Sequence, residues 1–436
     1  MIVGSILNPV NSSIIAVSLV PIGVALGAPP AQTAWLVSAL YLATAIGQPV
    51  VGRLVDLYGP RRLFLIGGAL VGVAGVLGLV APNLPVLIVA RVLLGFGTCA
   101  GYPAAMSLIR GESERTGRDR PAGVLTLLSI TTQTVAVIGP TLGGLLIGLG
   151  GWRATIAVNL PLSAACLVLG GLYLPRGHQR PDGPVRLDLP GIGLFAATLV
   201  SLLLFLMNPN AAHWYLPVIA LGAGAGFAVR ELRTTDPFLD LRVLGGNLPL
   251  LLTYVRSLLA YVVSYAFLYG YTQWLEEGRG LSASRAGLLL LPVFLVGIGV
   301  AALTGRYREL RGKLLVGAAG QIAACALLFT LGGAGSVWLL VLVAVVLGLP
   351  QGLNSLALQN SVYHQADPER IGASSGLLRT FMYLGAMVAS AATGGFFGPR
   401  ADTAGLHSLA WFVLAVSGLF LAVTLFDRTL RPAAAK

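Results

Sequence analysis

The sequence has few charged residues, and acidic ones are the scarcest. Only 10% of its 436 residues are charged, and 16 residues are acidic. Soluble domains carry about 25% charged residues, so the composition excludes a soluble globular protein. The chain is 56% hydrophobic, with a mean hydropathy of +0.84. Its long apolar runs lack period-2 alternation, which predicts an all-α integral membrane protein.

Cysteine and histidine are also scarce, with three and four residues. The three cysteines, Cys99, Cys166 and Cys325, lie inside apolar runs and predict no disulfide framework. The sequence contains no Ser/His/acid set, metal-ligand cluster or glycine-rich nucleotide loop at a usable spacing. We therefore expect no enzymatic activity, no bound metal and no cofactor.

The basic residues outnumber the acidic ones, giving a net charge of +12. Nearly all of them fall in loops on one side of the apolar runs if both termini lie inside. This is the positive-inside pattern, and it needs no nucleic-acid partner. We expect a multi-pass protein of a bacterial inner membrane, surrounded by lipid bilayer, with both termini cytoplasmic.

A charged hairpin at residues 52–62 lies between two apolar runs, and a similar one returns at residues 305–313. Both read Gly-Arg-x-x-acid-Leu-x-Gly. A second match links residues 141–144 with 392–395. The apolar runs predict fourteen transmembrane helices, and the repeats predict two parallel halves with a substrate site between them. The predicted units are a six-helix half at 1–175, an inserted two-helix segment with linkers at 176–246, and a second six-helix half at 247–436.

Several stretches resemble the major facilitator superfamily. The hairpin 52–62 resembles its signature Gly-x-Leu-(Ala)-Asp-Arg-x-Gly-Arg-Arg, although Leu57 and Pro60 depart from it. Residues 139–144 resemble the antiporter signature of the fifth helix. Residues 11–17 resemble the first helix of the fourteen-helix drug:proton antiporters, with Asn11 in place of an aspartate. The resemblance implies the major-facilitator fold, alternating access and proton-linked efflux of lipophilic compounds or drugs.

The resemblance also implies that the hairpin locks one conformation, whereas the simpler interpretation is an ordinary solvated loop. Gly52 and Gly59 permit close helix approach and a turn, and Asp56 can pair with an arginine or cap a helix. The predicted gating residues are Gly52, Arg53, Asp56, Gly59, Arg61, Arg62, Gly305, Arg306 and Glu309. The antiporter-motif residues, which predict a kinked and closely packed helix, are Gly139, Pro140, Gly143 and Gly144.

Three arginines lie inside apolar spans, where a charge costs at least about 2.5 kcal/mol unless it faces a cavity or a partner. Arg256 and the tyrosines of its segment occupy opposite helix faces. We expect the arginine face to line the cavity and the tyrosines to pack against helices. Structural hydrogen bonding or snorkelling are the alternatives. The predicted substrate-cavity residues are Asn11, Arg91, Gln133, Arg256, Asn354 and Arg379.

No acidic residue lies in the middle of an apolar run, although proton-coupled carriers normally have one there. The proton-coupling candidates are Asp56, Glu276 and Glu277, and the last two also suit an interfacial anchor. A cavity edged by arginines favours anionic, zwitterionic or neutral amphiphiles as substrates. Transport of an anionic metabolite or lipid stays an alternative to drug efflux, as does a non-transporting sensor or scaffold. We expect a monomer.

Overall fold

The structure is a computed structural model, and it describes most of the chain. The described residues are 2–28, 30–33, 35–116, 121–175, 188–207, 210–234, 237–239, 241–281, 283–305, 307, 309–332, 336–397 and 401–430. Every regular element within these ranges is a helix. The prediction of an all-α protein is therefore confirmed.

The helices differ widely in length. They are α1 (Ile2–Leu26), α2 (Pro30–Thr33), α3 (Trp35–Tyr58), α4 (Pro60–Leu79), α5 (Leu84–Thr98), α6 (Gly101–Thr116), α7 (Pro121–Ala157), α8 (Asn159–Tyr173), α9 (Leu189–Met207), α10 (Tyr215–Arg233), α11 (Leu241–Gly246), α12 (Leu248–Ala266), α13 (Ala283–Thr304), α14 (Leu310–Leu328), α15 (Val337–Gln365), α16 (Ile371–Phe397) and α17 (Thr403–Phe426). Two π-helical stretches, Phe267–Tyr271 and Trp274–Gly278, extend α12.

Eleven helices among the described residues are long and apolar enough to cross a membrane, or up to 13 if two bent pairs each count as one span. The predicted count of fourteen is thus not reached exactly. One reason is that α7 continues across a break into the predicted sixth segment. Gly151 has a φ of 68°, a conformation that glycine tolerates, and it turns the chain there.

The same helix pairs pack together in two parts of the chain. In the N-terminal half (α1–α8), α1 packs on α7, α3 on α5, and α4 on α8. In the C-terminal half (α12–α17), α12 packs on α16, α13 on α15, and α14 on α17. This equivalence is the arrangement expected of parallel repeats. The division of the chain at residues 175 and 246 stays a prediction.

The two halves meet chiefly along two helix pairs, α3 with α16 and α7 with α13, and α6 also contacts α16. Because α3 is equivalent to α13 and α7 to α16, these two pairs are related by the repeat. The inserted helices α9 and α10 pack on each other, and α9 also contacts α3 and α16. The pair α3–α16 therefore has a third helix beside it.

Candidate functional site

The α3–α4 hairpin is closed by a single turn at Gly59. Its φ of 91° is one that side-chain-bearing residues rarely adopt, and Pro60 then begins α4. The α13–α14 hairpin and the start of α16 lie at the same end of the bundle. We refer to it as the hairpin end.

At the hairpin end, the Asp56 carboxylate caps the first turn of α16. The N–H groups of Gly372 and Ala373 donate to its two oxygens, both at 2.8 Å. The first N–H groups of a helix have no partner inside it, and the helix dipole favours an anion there. Asp56 thus joins the N-terminal half to the C-terminal half through the backbone.

Gly52 lies one helical turn before Asp56 and brings the two helices together. A Cβ atom at this position would overlap the carbonyl group of Gly372. The close backbone approach places Asp56 within hydrogen-bonding distance of α16. Small residues at both positions are needed for this contact.

Two further hydrogen bonds join α16 to the N-terminal half, one to α3 and one to α1. Thr380 donates to the carbonyl oxygen of Ala45 at 2.8 Å. The Tyr383 hydroxyl donates to Asn8 Oδ1 at 2.8 Å. The sequence interpretation missed Asn8. Its position one turn before Asn11, as a second amide in an apolar helix, could have indicated it. These bonds show that the contact runs from the hairpin end toward the middle of the bundle.

The remaining residues of the first hairpin have separate placements. Arg53 lines a cavity at the hairpin end together with Arg370. Arg61 donates to the carbonyl oxygen of Gly171 at 2.9 Å, within the N-terminal half. Arg62 is exposed. Their gating role stays a prediction.

The second hairpin does not reproduce the cap. Gly305 lies against the Thr126 side chain of α7, so α13 also approaches the other half closely. Glu309, however, is exposed, precedes α14 and makes no side-chain capping bond there. Arg306 lies outside the described residues.

A group of tyrosines occupies the space between the halves, and we name it the tyrosine cluster. Tyr41 and Tyr383 face each other across the halves with ring centroids 5.6 Å apart. On α12 and its π-helical extension, Tyr261, Tyr265 and Tyr269 form a continuous row, with centroid distances of 6.1 and 5.5 Å. The cluster comprises Tyr41, Tyr102, Tyr261, Tyr265, Tyr269 and Tyr383.

Arg379 supplies a positive charge beside this cluster. Its guanidinium carbon lies 4.1 Å from the ring centroid of Tyr102, which belongs to α6 of the other half. The arginine is partly exposed, whereas Tyr102 is buried. A cation over an aromatic face is attracted to it, and the attraction strengthens when water is partly removed.

The prediction for the two faces of α12 was wrong. Arg256 forms a buried ion pair with Asp427, after the end of α17, so it lies within the C-terminal half. Burial alone would raise the pKa of Asp427, but bonds from Thr429 and Arg256 outweigh it and hold that pKa below its usual value. The tyrosine face borders the other half instead.

Three more predicted cavity residues also bond or pack within one half. Asn11 exchanges two amide hydrogen bonds with Asn159, at 2.7 and 3.0 Å. Arg91 donates to the carbonyl oxygens of Leu36 and Asn11, at 3.0 and 3.3 Å. Asn354 packs against Gly317 of α14. The structure corrects their assignment to the space between the halves, because the partners of these groups lie on helices of their own half.

The last two predicted cavity residues do lie between the halves. Besides Arg379, Gln133 on α7 contacts Gly297 of α13, and its Oε1 is buried without a hydrogen-bond partner. Its Nε2 donates to Ser129. The role of both residues in binding substrate stays a prediction.

The antiporter-motif glycines are helix-packing positions in the described conformation. A Cβ atom on Gly139 would meet Ser13, and one on Gly143 would meet Val17, so both let α7 pack closely on α1. A Cβ atom on Gly144 would meet none of the described atoms within 4 Å. Pro140 lies on the same helix.

The acidic pair at the opposite end of the bundle has local partners. Glu277 accepts from the Gln273 amide at 3.3 Å and from the Ala401 N–H at 2.8 Å. Glu276 is exposed. This geometry suits an anchor of the loop before α17, and proton coupling through either residue stays a prediction.

Known proteins resemble the chain over almost its whole length. It is 33% identical to the uncharacterised MFS-type transporter YwoD of Bacillus subtilis (96% of this chain, 93% of the relative). It is 29% identical to the cephamycin export protein CmcT of Amycolatopsis lactamdurans (95% and 88%). The solved proton:xylose symporter XylE has the same fold, with a TM-score of 0.64 and 14% identity (96% and 93%).

A family model described as Major Facilitator Superfamily matches residues 1–390. Members of this family are carriers and not enzymes. The chain is therefore a membrane transporter that belongs to the major facilitator superfamily.

Proposed function

We propose that this transporter exports neutral or anionic aromatic compounds across a bacterial inner membrane by alternating access, as a monomer. The observation that carries the proposal is the tyrosine cluster between the halves, with Arg379 beside it. Tyrosine rings offer large apolar faces with polar tips, which suits amphiphilic aromatic molecules. The name of the cephamycin export protein supports export as the direction.

The described conformation is closed at the hairpin end, which we place on the cytoplasmic side because of the positive-inside pattern. The bonds that support closure are the Asp56 cap on α16 and the Tyr383–Asn8 contact. In an alternating-access cycle, a substrate in the tyrosine cluster leaves to the outside while this end stays closed. Opening the hairpin end requires the cap to break.

We place the proton at Asp56. An ionised carboxylate has two oxygens that accept, so it can cap both N–H groups of α16. A protonated carboxyl has lost part of that capacity, so proton binding weakens the lock and favours the open hairpin end. Glu276 and Glu277 are the alternative sites for the coupling proton.

The test uses inside-out vesicles, with anilinonaphthalene sulfonate as the anionic aromatic probe, Nile red as the neutral one and ethidium as the cationic one. We expect accumulation of the first two, and its loss when the pH gradient is collapsed. If transport is unchanged when the gradient is collapsed, it is not coupled to protons, and that part of the proposal is wrong. Preference for ethidium would overturn the substrate class.

Arg379 favours a second candidate, the transport of an anionic metabolite or lipid. Arg379→Gln should lower transport of the anionic probe by about tenfold, because it removes the positive charge that attracts the anion. A tenfold change corresponds to about 1.4 kcal/mol of lost attraction. Arg379→Lys is the matched control that keeps the charge. If Nile red is not transported and Arg379→Gln abolishes transport of the anionic probe, transport of an anionic metabolite or lipid replaces aromatic export as the proposal.

A further inference from the structure

The inserted helix pair contains a buried carboxyl pair that neither the gate nor the tyrosine cluster uses. Asp188 caps the start of α9, and Glu231 lies in the last turn of α10. The Asp188 side chain is 1% exposed and Glu231 is 0% exposed. Two carboxyl groups in such surroundings need a partner or a proton at every oxygen.

One oxygen of each residue is well bonded. Arg230 donates through two nitrogens to Asp188 Oδ1, at 2.8 and 2.7 Å, and the Gly191 N–H donates to the same atom at 3.1 Å. The Leu239 N–H donates to Glu231 Oε2 at 2.9 Å. Arg230 therefore neutralises Asp188 on one side, and no bond from it reaches Glu231.

The other two oxygens have no hydrogen-bond partner among the residues that the structure describes. Asp188 Oδ2 and Glu231 Oε1 are both buried without a hydrogen bond. A Cβ atom built on Gly191 would collide with Asp188 Oδ2 and lie 2.6 Å from Glu231 Oε1. Both oxygens thus face the same small space, which the glycine leaves open. One proton placed between them would satisfy both at once, since a protonated carboxyl donates and an ionised one accepts.

We propose that Asp188 and Glu231 share one bound proton, so that the inserted helix pair has its own proton-binding site at the hairpin end. The shared proton leaves a single negative charge on the pair, and Arg230 compensates it. From α11, Arg242 reaches this end of α10 as well, but its guanidinium donates to the carbonyl oxygen of Leu232. The inference goes beyond the export function and does not depend on it.

The pair is joined to the gate through a short segment. Glu231 accepts a hydrogen bond from the N–H of Leu239. Phe238, the residue before Leu239, packs edge-on against Phe195 of α9, with ring centroids 5.5 Å apart. Both residues of the segment line the cavity that contains Arg53 and Arg370. Loss of the proton leaves two facing carboxylates, whose repulsion pushes Glu231 away from α9 and loosens its bond to Leu239.

Infrared spectroscopy of the purified full chain in lipid nanodiscs tests the shared proton. We expect a carbonyl stretching band of a protonated carboxyl at neutral pH. The band should disappear in Glu231→Gln and also in Asp188→Asn, because each amide donates the missing hydrogen bond without an acidic proton. Glu369→Gln, at an exposed carboxyl, should leave it unchanged. Absence of the band in the unaltered chain, its persistence in both variants, or its loss in only one of them would overturn the proposal.

Amide hydrogen exchange at Leu239 tests the link to the gate. Once the pH is raised until the band disappears, exchange at Leu239 should quicken by about tenfold beyond its intrinsic pH dependence, because local opening exposes the amide. In Glu231→Gln the neutral side chain still accepts from Leu239 and has no proton to lose. This variant should therefore show no such acceleration. Equal acceleration in both proteins would contradict the proposed link.

Discussion

The two hairpins share one sequence pattern but make different contacts. In both, an acidic residue lies four residues after a glycine, and both glycines lie against the opposite half. Asp56 caps α16 through two N–H groups, whereas Glu309 is exposed and makes no such bond. The repeat therefore provides two close helix contacts and one cap between the halves.

The difference follows from where each helix ends. Helix α3 continues to Tyr58, so Gly52 and Asp56 share one helix face, and the carboxylate reaches the same neighbour as the glycine. Helix α13 already ends at Thr304, and Glu309 belongs to the start of α14. The same spacing thus directs the second acid away from the other half. An identical motif does not by itself predict an identical contact.

Asp56→Asn should have the largest effect in this comparison. An asparagine side chain offers one neutral oxygen in place of two charged ones, which weakens the cap by about 2 kcal/mol, or roughly thirtyfold in the closed-to-open ratio. Spin labels at Arg62 and Glu369, both exposed at the hairpin end, would report a new population of longer distances. The three native cysteines are buried.

Glu309→Gln is the matched control for that variant. Because Glu309 is exposed and the structure shows no bond from it to the described residues of the other half, the distance distribution and the transport rate of this variant should stay within about twofold of those of the unaltered chain. A comparable opening in both variants would mean that the second hairpin also locks. The contrast between the hairpins would then be wrong.

The fold could be predicted from the sequence to a large extent, because long apolar runs and repeated hairpins determine helices and halves. The helix that Asp56 caps could not be predicted in the same way. The partners of Asp56 are two backbone N–H groups more than 300 residues away, and every residue except proline has such a group. Sequence could indicate that Asp56 suits a helix cap, but not which helix it would cap.

The substrate site was harder to predict for a related reason. Helical periodicity correctly separated Arg256 from the tyrosines of the same segment, but it did not indicate which face borders the other half. That choice depends on Asp427, which lies far along the chain and pairs with Arg256. The sequence indicated that α12 has two opposite faces, but it did not indicate that Asp427 pairs with the arginine face.

Gly52→Ala should have the next largest effect. Its Cβ atom would overlap the backbone of Gly372, which cannot move as a flexible side chain can, so the halves must separate. Such overpacking costs about 1–3 kcal/mol. In Gly305→Ala the added atom meets the Thr126 side chain, which can adjust more readily. We expect the same pair of labels to show clear opening in the first variant and a smaller change in the second.

Tyr383→Phe should have the smallest effect. It removes one hydrogen bond between the halves, from the Tyr383 hydroxyl to Asn8, which is worth about 1 kcal/mol or roughly fivefold in the closed-to-open ratio. Tyr254→Phe is the matched control, because its hydroxyl donates to the carbonyl oxygen of Ser374 within the C-terminal half. The label distances should shift in the first variant alone. A shift of equal size in the control would mean that closure depends on the internal packing of the C-terminal half and not on the bonds between α16 and the N-terminal half.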